Sequence, residues 1–304
     1  MDNPARRHFL VTGTALVAAA WAGPGMALEP SPLTRPLPGG GRIPVIGLGS
    51  WITLDVGNDA LRRAQRLAVL RAFFGMGGGM IDSSPMYGSA EEVIGWGLGQ
   101  LGRPSGLFAA TKVWTVGRGE GQRQMEVSRR LWGVDRFDLI HVHNLLDWQT
   151  QLVTLKAMKG AGRLRGIGVT TSHGRRHDEL ERIMAREPLD FVQFTYNLAD
   201  REAEARLLPL AAERGLAVVV NRPFRGGSLF SAVWNRPLPA WAAELDCRNW
   251  AQFFLKFVIS HPAVTCAIPA TSRADHLLEN MGAGLGRLPD MAERRRMASH
   301  FAAL

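Results

Sequence analysis

Short apolar runs alternate along the chain with longer segments in which apolar side chains recur at helical spacing. The runs are Val45–Gly49, Gly79–Asp82, Leu107–Lys112, Phe137–His143, Arg165–Thr170, Phe191–Tyr196, Ala217–Asn221 and Thr265–Pro269. Helix-like segments follow them in order: Ala60–Gly75, Ala90–Leu101, Gly121–Trp132, Thr150–Gly160, Arg176–Arg186, Glu202–Arg214, Asn249–Ser260 and Ala274–Met281. Short apolar runs bounded by turn residues read as buried strands, and their regular alternation with helices predicts parallel βαβ units. Such units close either as an open doubly wound sheet or as a (β/α)8 TIM barrel, and eight units in about 250 residues favour the barrel. No internal repeat beyond this alternation marks a second domain. Residues 45–304 are therefore expected to form one barrel, with a Pro-rich spacer at 28–44 in front of it.

In a barrel, chemistry sits at the C-terminal ends of the strands. Three successive runs end in polar residues. Ile81-Asp82-Ser83-Ser84-Pro85-Met86-Tyr87-Gly88 sets a carboxylate and a phenol five residues apart, Thr111-Lys112 ends the next run, and His141-Val142-His143 ends the third. A phenol with its usual pKa near ~10 exchanges protons poorly at neutral pH unless a nearby cation favours the phenolate, and Lys112 is the candidate cation. A lysine buried beside a tyrosine needs a counter-ion, which Asp82 supplies. Taken singly, Asp82 reads as a turn former, Tyr87 as a rim aromatic and Lys112 as one half of a surface ion pair. Their order on neighbouring strands is what argues for a site. His141 is expected to be a hydrogen-bonded core histidine.

Composition narrows the partners. The 36 Lys and Arg against 27 Asp and Glu give a formal charge of +9, an excess that can mark nucleic acid or a membrane. The basic residues are scattered, however, and the densest run, Arg294-Arg295-Arg296, is expected to be a solvated helix face, so no nucleic-acid partner is expected. Only four lysines occur (Lys112, Lys156, Lys159, Lys256), which singles out the one that ends an apolar strand. Two cysteines, Cys247 and Cys266, make neither a disulfide framework nor a metal knot, and Cys266 reads as a small buried residue.

The first residues read as an address. Arg6-Arg7-His8-Phe9-Leu10 precedes an apolar stretch from Val11 to Ala22, and Gly25-Met26-Ala27 offers small residues for cleavage. The stretch is too short and too rich in Ala and Gly to span a membrane, so no stable insertion is expected after cleavage. The paired arginines resemble a twin-arginine signal, which implies that residues 1–27 direct the folded protein to the twin-arginine export machinery and the periplasm. The protein would be cytoplasmic if the signal were not used.

From residue 40 onward the chain resembles the aldo-keto reductase superfamily. The residues that carry the resemblance are Ile46-Gly47-Leu48-Gly49-Ser50-Trp51, Asp82 through Tyr87-Gly88, Thr111-Lys112, His143-Asn144 and Ser128-Arg129-Arg130-Leu131 before Asp138-Leu139. Further matches are Gly166–Thr170, Gln193 with Tyr196-Asn197, and Ile268-Pro269-Ala270-Thr271-Ser272 up to Glu279-Asn280. The resemblance implies a catalytic set of Asp82, Tyr87, Lys112 and His143. In it, Tyr87 protonates a carbonyl oxygen as hydride arrives from a nicotinamide, Lys112 lowers the phenol's pKa, and His143 orients the carbonyl. It also implies a cofactor seat at Ser50, Trp51, Thr170, Thr171, Gln193, Asn221, Arg222, Thr271, Ser272, Arg273, Glu279 and Asn280, with no metal. Two positions depart from the family pattern: Asn221 stands where an aromatic often stacks on the nicotinamide, and Ala270 where a basic residue often holds the 2′-phosphate. Arg273 is the candidate replacement for the second, and NADP(H) is favoured over NAD(H).

The expected activity is thus NADP(H)-dependent reduction of a small-molecule aldehyde or ketone, with Trp51, Trp114, Trp148 and Phe224 as an apolar mouth. Since free NADP(H) is not expected outside the cytoplasm, the cofactor would be loaded before export. Two other classes fit parts of the pattern. A nicotinamide-binding accessory protein with little turnover suits Asn221 and Ala270. A metal-dependent barrel hydrolase suits the His141/His143 pair with His173, though such enzymes need further strand-end ligands.

Overall fold

The computed structural model describes residues 31–304; the expected signal at 1–27 and the start of the spacer lie outside the described residues. Within the spacer, β1 (Thr34–Pro36) and β2 (Arg42–Pro44) pair as an antiparallel hairpin. Eight parallel strands follow: β3 (Leu48–Gly49), β4 (Met80–Asp82), β5 (Phe108–Val113), β6 (Phe137–Val142), β7 (Leu164–Thr170), β8 (Phe191–Thr195), β9 (Ala217–Asn221) and β10 (Val264–Ala267). They are ordered in space as in sequence. The ends meet where Gly47 N donates to Ala267 O at 2.8 Å, Ala267 N to Val45 O at 2.9 Å and Gly49 N to Pro269 O at 3.0 Å. The sheet is a (β/α)8 barrel in a single domain. A Cβ at Gly49 would lie 2.7 Å from the Ile268 carbonyl oxygen, so closure requires a residue without a side chain there.

Around the barrel run α1 (Ala60–Gly75), α2 (Ala90–Gln100), α3 (Arg118–Trp132), α4 (Trp148–Gly160), α5 (His177–Arg186), α6 (Leu207–Glu213), α7 (Ser228–Ala232), α8 (Trp250–Ile259), α9 (Ala274–Gly282) and α10 (Met291–Ala302). The helix expected over 202–214 is split into a 3-10 turn at Glu202–Glu204 and α6. Pro209 explains the break: it has no N–H to continue the ladder and crowds the carbonyl four residues back, so it fits only the first turn of a restarted helix.

Alternate side chains of the strands fill the barrel. Met80, Ala110, Leu139, Phe191, Val219 and Cys266 form one inner cluster, and Ile43 of the hairpin joins it. The hairpin therefore stoppers the N-terminal end of the barrel and leaves the C-terminal end as the mouth. Cys266 is fully buried, as expected.

Arg294 overturns the reading of its run as a solvated face, since it is only 3% exposed. Arg294, Met297 and Ala298 share the buried face of α10 at helical spacing, while Arg295 and Arg296 point outward. The Arg294 guanidinium donates to Phe257 O, to Ser260 Oγ at 2.7 Å and to Tyr196 Oη at 2.5 Å. Tyr196 in turn donates to Glu204 at 2.5 Å, so this tyrosine belongs to the outer wall and not to a cofactor seat.

Candidate active site

Strand alternation turns Met80 and Asp82 of β4 inward, and likewise Ala110 and Lys112 of β5 and Leu139 and His141 of β6. Lys112 Nζ lies 2.5 Å from Asp82 Oδ2 and donates to Ser83 O at 2.8 Å, with both side chains shut off from solvent. Burial alone would lower the Lys112 pKa, but the Asp82 carboxylate and the Tyr87 phenol reverse this, and the ammonium is held above its usual range. The loop after β4 folds back through Tyr87 N to Ser84 O (3.0 Å) and sets the Tyr87 ring 5.1 Å from Lys112 Nζ.

Burial raises the Tyr87 pKa, and the opposing pull of Lys112 does not overcome it. The expected depression by Lys112 exists as one interaction, but the net shift runs the other way. The phenol stays protonated near neutral pH, the state a proton donor needs.

His143 follows β6, with Nδ1 2.8 Å from Ser84 Oγ and its ring edge-on to Tyr87 at 5.7 Å. Burial, the Lys112 charge and His141 push its pKa down to about 2, so the ring is neutral. His141 is fully buried as expected, yet no protein atom among the described residues hydrogen-bonds either ring nitrogen. Its neighbours explain this: Phe191 meets the ring edge-on at 6.5 Å, and the glycine at 168 gives it room, because a Cβ there would lie 2.6 Å from His141 Cδ2.

A polar wall continues the site. Gln193 Nε2 donates to Asp82 Oδ1 at 3.0 Å, and its Oε1 accepts from Thr170 Oγ1 at 3.2 Å and Asn221 Nδ2 at 3.5 Å. Asn221 also donates to Thr171 O at 2.8 Å and accepts from Thr195 Oγ1 at 2.7 Å. Thus Asn221 does not replace an aromatic platform with empty space; it knits the ends of β7, β8 and β9 together.

These groups open on a cavity of about 460 Å³ lined by Asp82, Tyr87, His143, Ser50, Trp51, Thr170, Gln193, Asn221 and Arg222. Lys112 lies behind the wall. The cavity's apolar side is Trp51, Ile52, Met86, Phe224, Phe230 and Ile268. Trp114 and Trp148 do not line it: Trp114 is 41% exposed and Trp148 packs against the helical layer. Met86, Asn144, His173 and Phe230 also line the cavity; none belongs to the expected catalytic set or cofactor seat, and His173 entered only as a candidate metal ligand. Asn144, His173 and Arg222 hold left-handed backbone at φ 51°, 61° and 50°, which aims their loops across the mouth.

The residues expected after β10 form an outer group that does not line this cavity. Thr271 Oγ1 accepts from Arg273 N at 3.2 Å, Asn280 is buried and Glu279 exposed. Arg66 of α1 donates to Thr53 O at 2.6 Å and Ser272 O at 3.0 Å, tying two rim loops together. Arg273, the candidate for a 2′-phosphate, is paired with Asp275 through both carboxylate oxygens.

Glu91 is a structural residue the sequence did not announce. Its carboxylate accepts from Thr111 Oγ1 at 2.5 Å, Ser128 Oγ at 2.7 Å and Trp132 Nε1 at 3.1 Å, fixing β5 beside Lys112. Among the described residues, no group of three or more His, Cys, Asp or Glu is placed to hold a metal ion.

The family model described as "Aldo/keto reductase family" matches residues 45–295. Methylglyoxal reductase YeaE of Escherichia coli is 28% identical over 248 residues, covering 78% of this chain and 84% of that protein. An NADH-specific methylglyoxal reductase of the same species is 26% identical over 232 residues, covering 65% of this chain and 68% of that one. An aldo/keto reductase of Klebsiella pneumoniae, solved in complex with NADP and acetate, superposes with a TM-score of 0.75 at 26% identity, over 87% of this chain and 94% of that one.

Proposed function

We propose that this chain, an enzyme that belongs to the aldo/keto reductase family, reduces a small aldehyde or ketone to the alcohol with NADP(H) as its partner. The observation that carries the proposal is the buried Lys112–Asp82 pair beneath a protonated Tyr87 at the cavity wall.

The wall suits a nicotinamide. Gln193, Asn221 and Thr170 offer the donors and acceptors that a carboxamide needs, next to the apolar Ile268, Phe224 and Trp51. The bound cofactor would supply hydride to the carbonyl carbon. As negative charge grows on the carbonyl oxygen, Tyr87 gives up its phenolic proton to it, and the Lys112 ammonium stabilises the phenolate left behind. Asp82 keeps Lys112 charged and in place, and His143, neutral, hydrogen-bonds the same oxygen. Trp51, Ile52, Met86, Phe224 and Phe230 give the cavity an apolar side for the substrate's carbon frame.

NADP(H) is favoured because Arg66 and Arg273 both adjoin the Ser272 station, and because the Klebsiella pneumoniae neighbour was solved with NADP. The Escherichia coli relatives named as methylglyoxal reductases favour a short carbonyl substrate. The assay is oxidation of NADPH by the purified protein on addition of methylglyoxal. Tyr87→Phe should lower the rate at least ~100-fold, the scale of a lost general acid, while leaving nucleotide binding intact. An unchanged rate would remove Tyr87 from this role. Tight nucleotide binding with no carbonyl reduced would favour the accessory reading instead.

The address is part of the same proposal. Arg6-Arg7-His8-Phe9-Leu10 and the apolar stretch after it support twin-arginine export to the periplasm with cofactor already bound. Replacing Arg6 and Arg7 by lysine should leave the protein in the cytoplasmic fraction. Export of the lysine variant at the original level would contradict it.

A further inference from the structure

Ser84 is fully buried, and among the described residues its hydroxyl makes two contacts: Oγ accepts from Met86 N at 3.3 Å and sits 2.8 Å from His143 Nδ1. The second contact has two possible directions. If Nδ1 carried the proton and donated to Oγ, the hydroxyl would already accept two bonds. Its own O–H would then be left without an acceptor in a dry site. If instead the Ser84 O–H donates to Nδ1, the hydroxyl and Nδ1 are both satisfied, and the imidazole proton is on Nε2, on a ring that lines the cavity. An unmet buried donor is disfavoured strongly enough to decide between the two.

We propose that Ser84 is a positioning residue whose hydroxyl locks His143 in the Nε2–H tautomer, so that the ring presents a donor to the carbonyl oxygen in the cavity. The proposal rests on the reductase reading for its purpose, and on the Ser84–His143 contact for its mechanism. In the opposite tautomer, Nε2 would turn a lone pair toward the substrate oxygen and repel it as charge builds. The edge-on contact with Tyr87 fixes the plane of the ring, and Ser84 fixes where the proton sits. One short segment therefore sets both donors, because Ser84 and Tyr87 share the loop after β4 and are joined by the Tyr87 N to Ser84 O bond at 3.0 Å. The neutral state of His143, which its burial enforces, is what makes the tautomer matter.

The test is two-dimensional proton–nitrogen correlation of the imidazole in the full-length protein, with His143 assigned by loss of its signals in His143→Gln. The wild-type ring should show a protonated Nε2 and a hydrogen-bonded, unprotonated Nδ1. Ser84→Ala should lose that single locked form, Ser84→Thr should retain it, and kcat should fall about tenfold in Ser84→Ala with KM little changed, the scale of one hydrogen bond. A wild-type ring protonated on Nδ1 overturns the proposal, as does a Ser84→Ala ring whose nitrogen signals match wild type. The tautomer is read without substrate or cofactor, so failure of the reductase assay and failure of this proposal are separate results.

Discussion

Lys112 Nζ and Asp82 Oδ2 stand 2.5 Å apart, the ammonium fully buried and the carboxylate nearly so, and the rest of the site is arranged around that pair. A buried ion pair is weak support for stability but strongly penalised when halved, because the remaining charge has no partner. Asp82→Asn should therefore cost about 3–5 kcal/mol in denaturant unfolding, and should abolish reduction as well. The double variant Asp82→Leu/Lys112→Met should recover most of the stability and none of the activity. Recovery of activity in the double variant would show that the pair serves packing alone.

The pH dependence of the reaction follows from Tyr87. Burial raises its pKa above the usual value of 10, and the protonated form is the donor. The rate of carbonyl reduction should thus be flat through neutral pH and fall only above pH ~10, as the phenol ionises. A log-rate profile that falls with slope between pH 6 and 8 would place the proton on another group.

Stability should respond to acid through two histidines that folding withdraws wholly or partly from water. Burial lowers the pKa of His143 from 6.5 to about 2 and that of His261 from 6.5 to about 4. The unfolded chain then binds more protons than the folded one below pH 6.5. Stability is full above that pH and is lost as pH falls toward the folded values, at up to ~1.4 kcal/mol per pH unit for His143 and less for His261, which water partly screens. Urea unfolding at pH 7.5 and pH 5 should show the loss. Equal midpoints at the two pH values would mean that these rings are charged when folded.

Cofactor choice should be tunable at the rim. Arg273 is held by Asp275, so a 2′-phosphate must compete for it. Asp275→Asn should tighten NADPH binding several-fold, as measured by quenching of tryptophan fluorescence, and leave NADH binding unchanged. An equal effect on both nucleotides would place the 2′-phosphate elsewhere.

The barrel was legible because strand runs and helical segments alternate without interruption, and because chemistry-bearing residues end the runs. Asp82, Lys112 and His143 could be placed from strand ends alone. What was not legible depended on partners far away in sequence. Arg294 reads as one of three surface arginines until α10 is docked and its phase is known. Whether Tyr87 is pulled down by Lys112 or pushed up by burial depends on how dry the loop after β4 is, and no local pattern states that. Asn221 looked like a lost aromatic; its bonds to Thr171 and Thr195, across two strands, show a substitute structure. The hairpin at Thr34–Pro44 was hidden by its prolines, which read as a spacer but here flank a two-stranded stopper.

If hydride passes to a carbonyl in this cavity while Tyr87 supplies the proton, a label carried by the hydride must appear in the product. Reaction of the purified protein with NADPH carrying two deuterium atoms at nicotinamide C4, followed by mass spectrometry of the product of methylglyoxal, tests this most directly. The wild type should form an alcohol with one deuterium on the new carbinol carbon, at least ~100-fold faster than Tyr87→Phe does. An unlabelled alcohol, or labelled product from both proteins at equal rates, would contradict it.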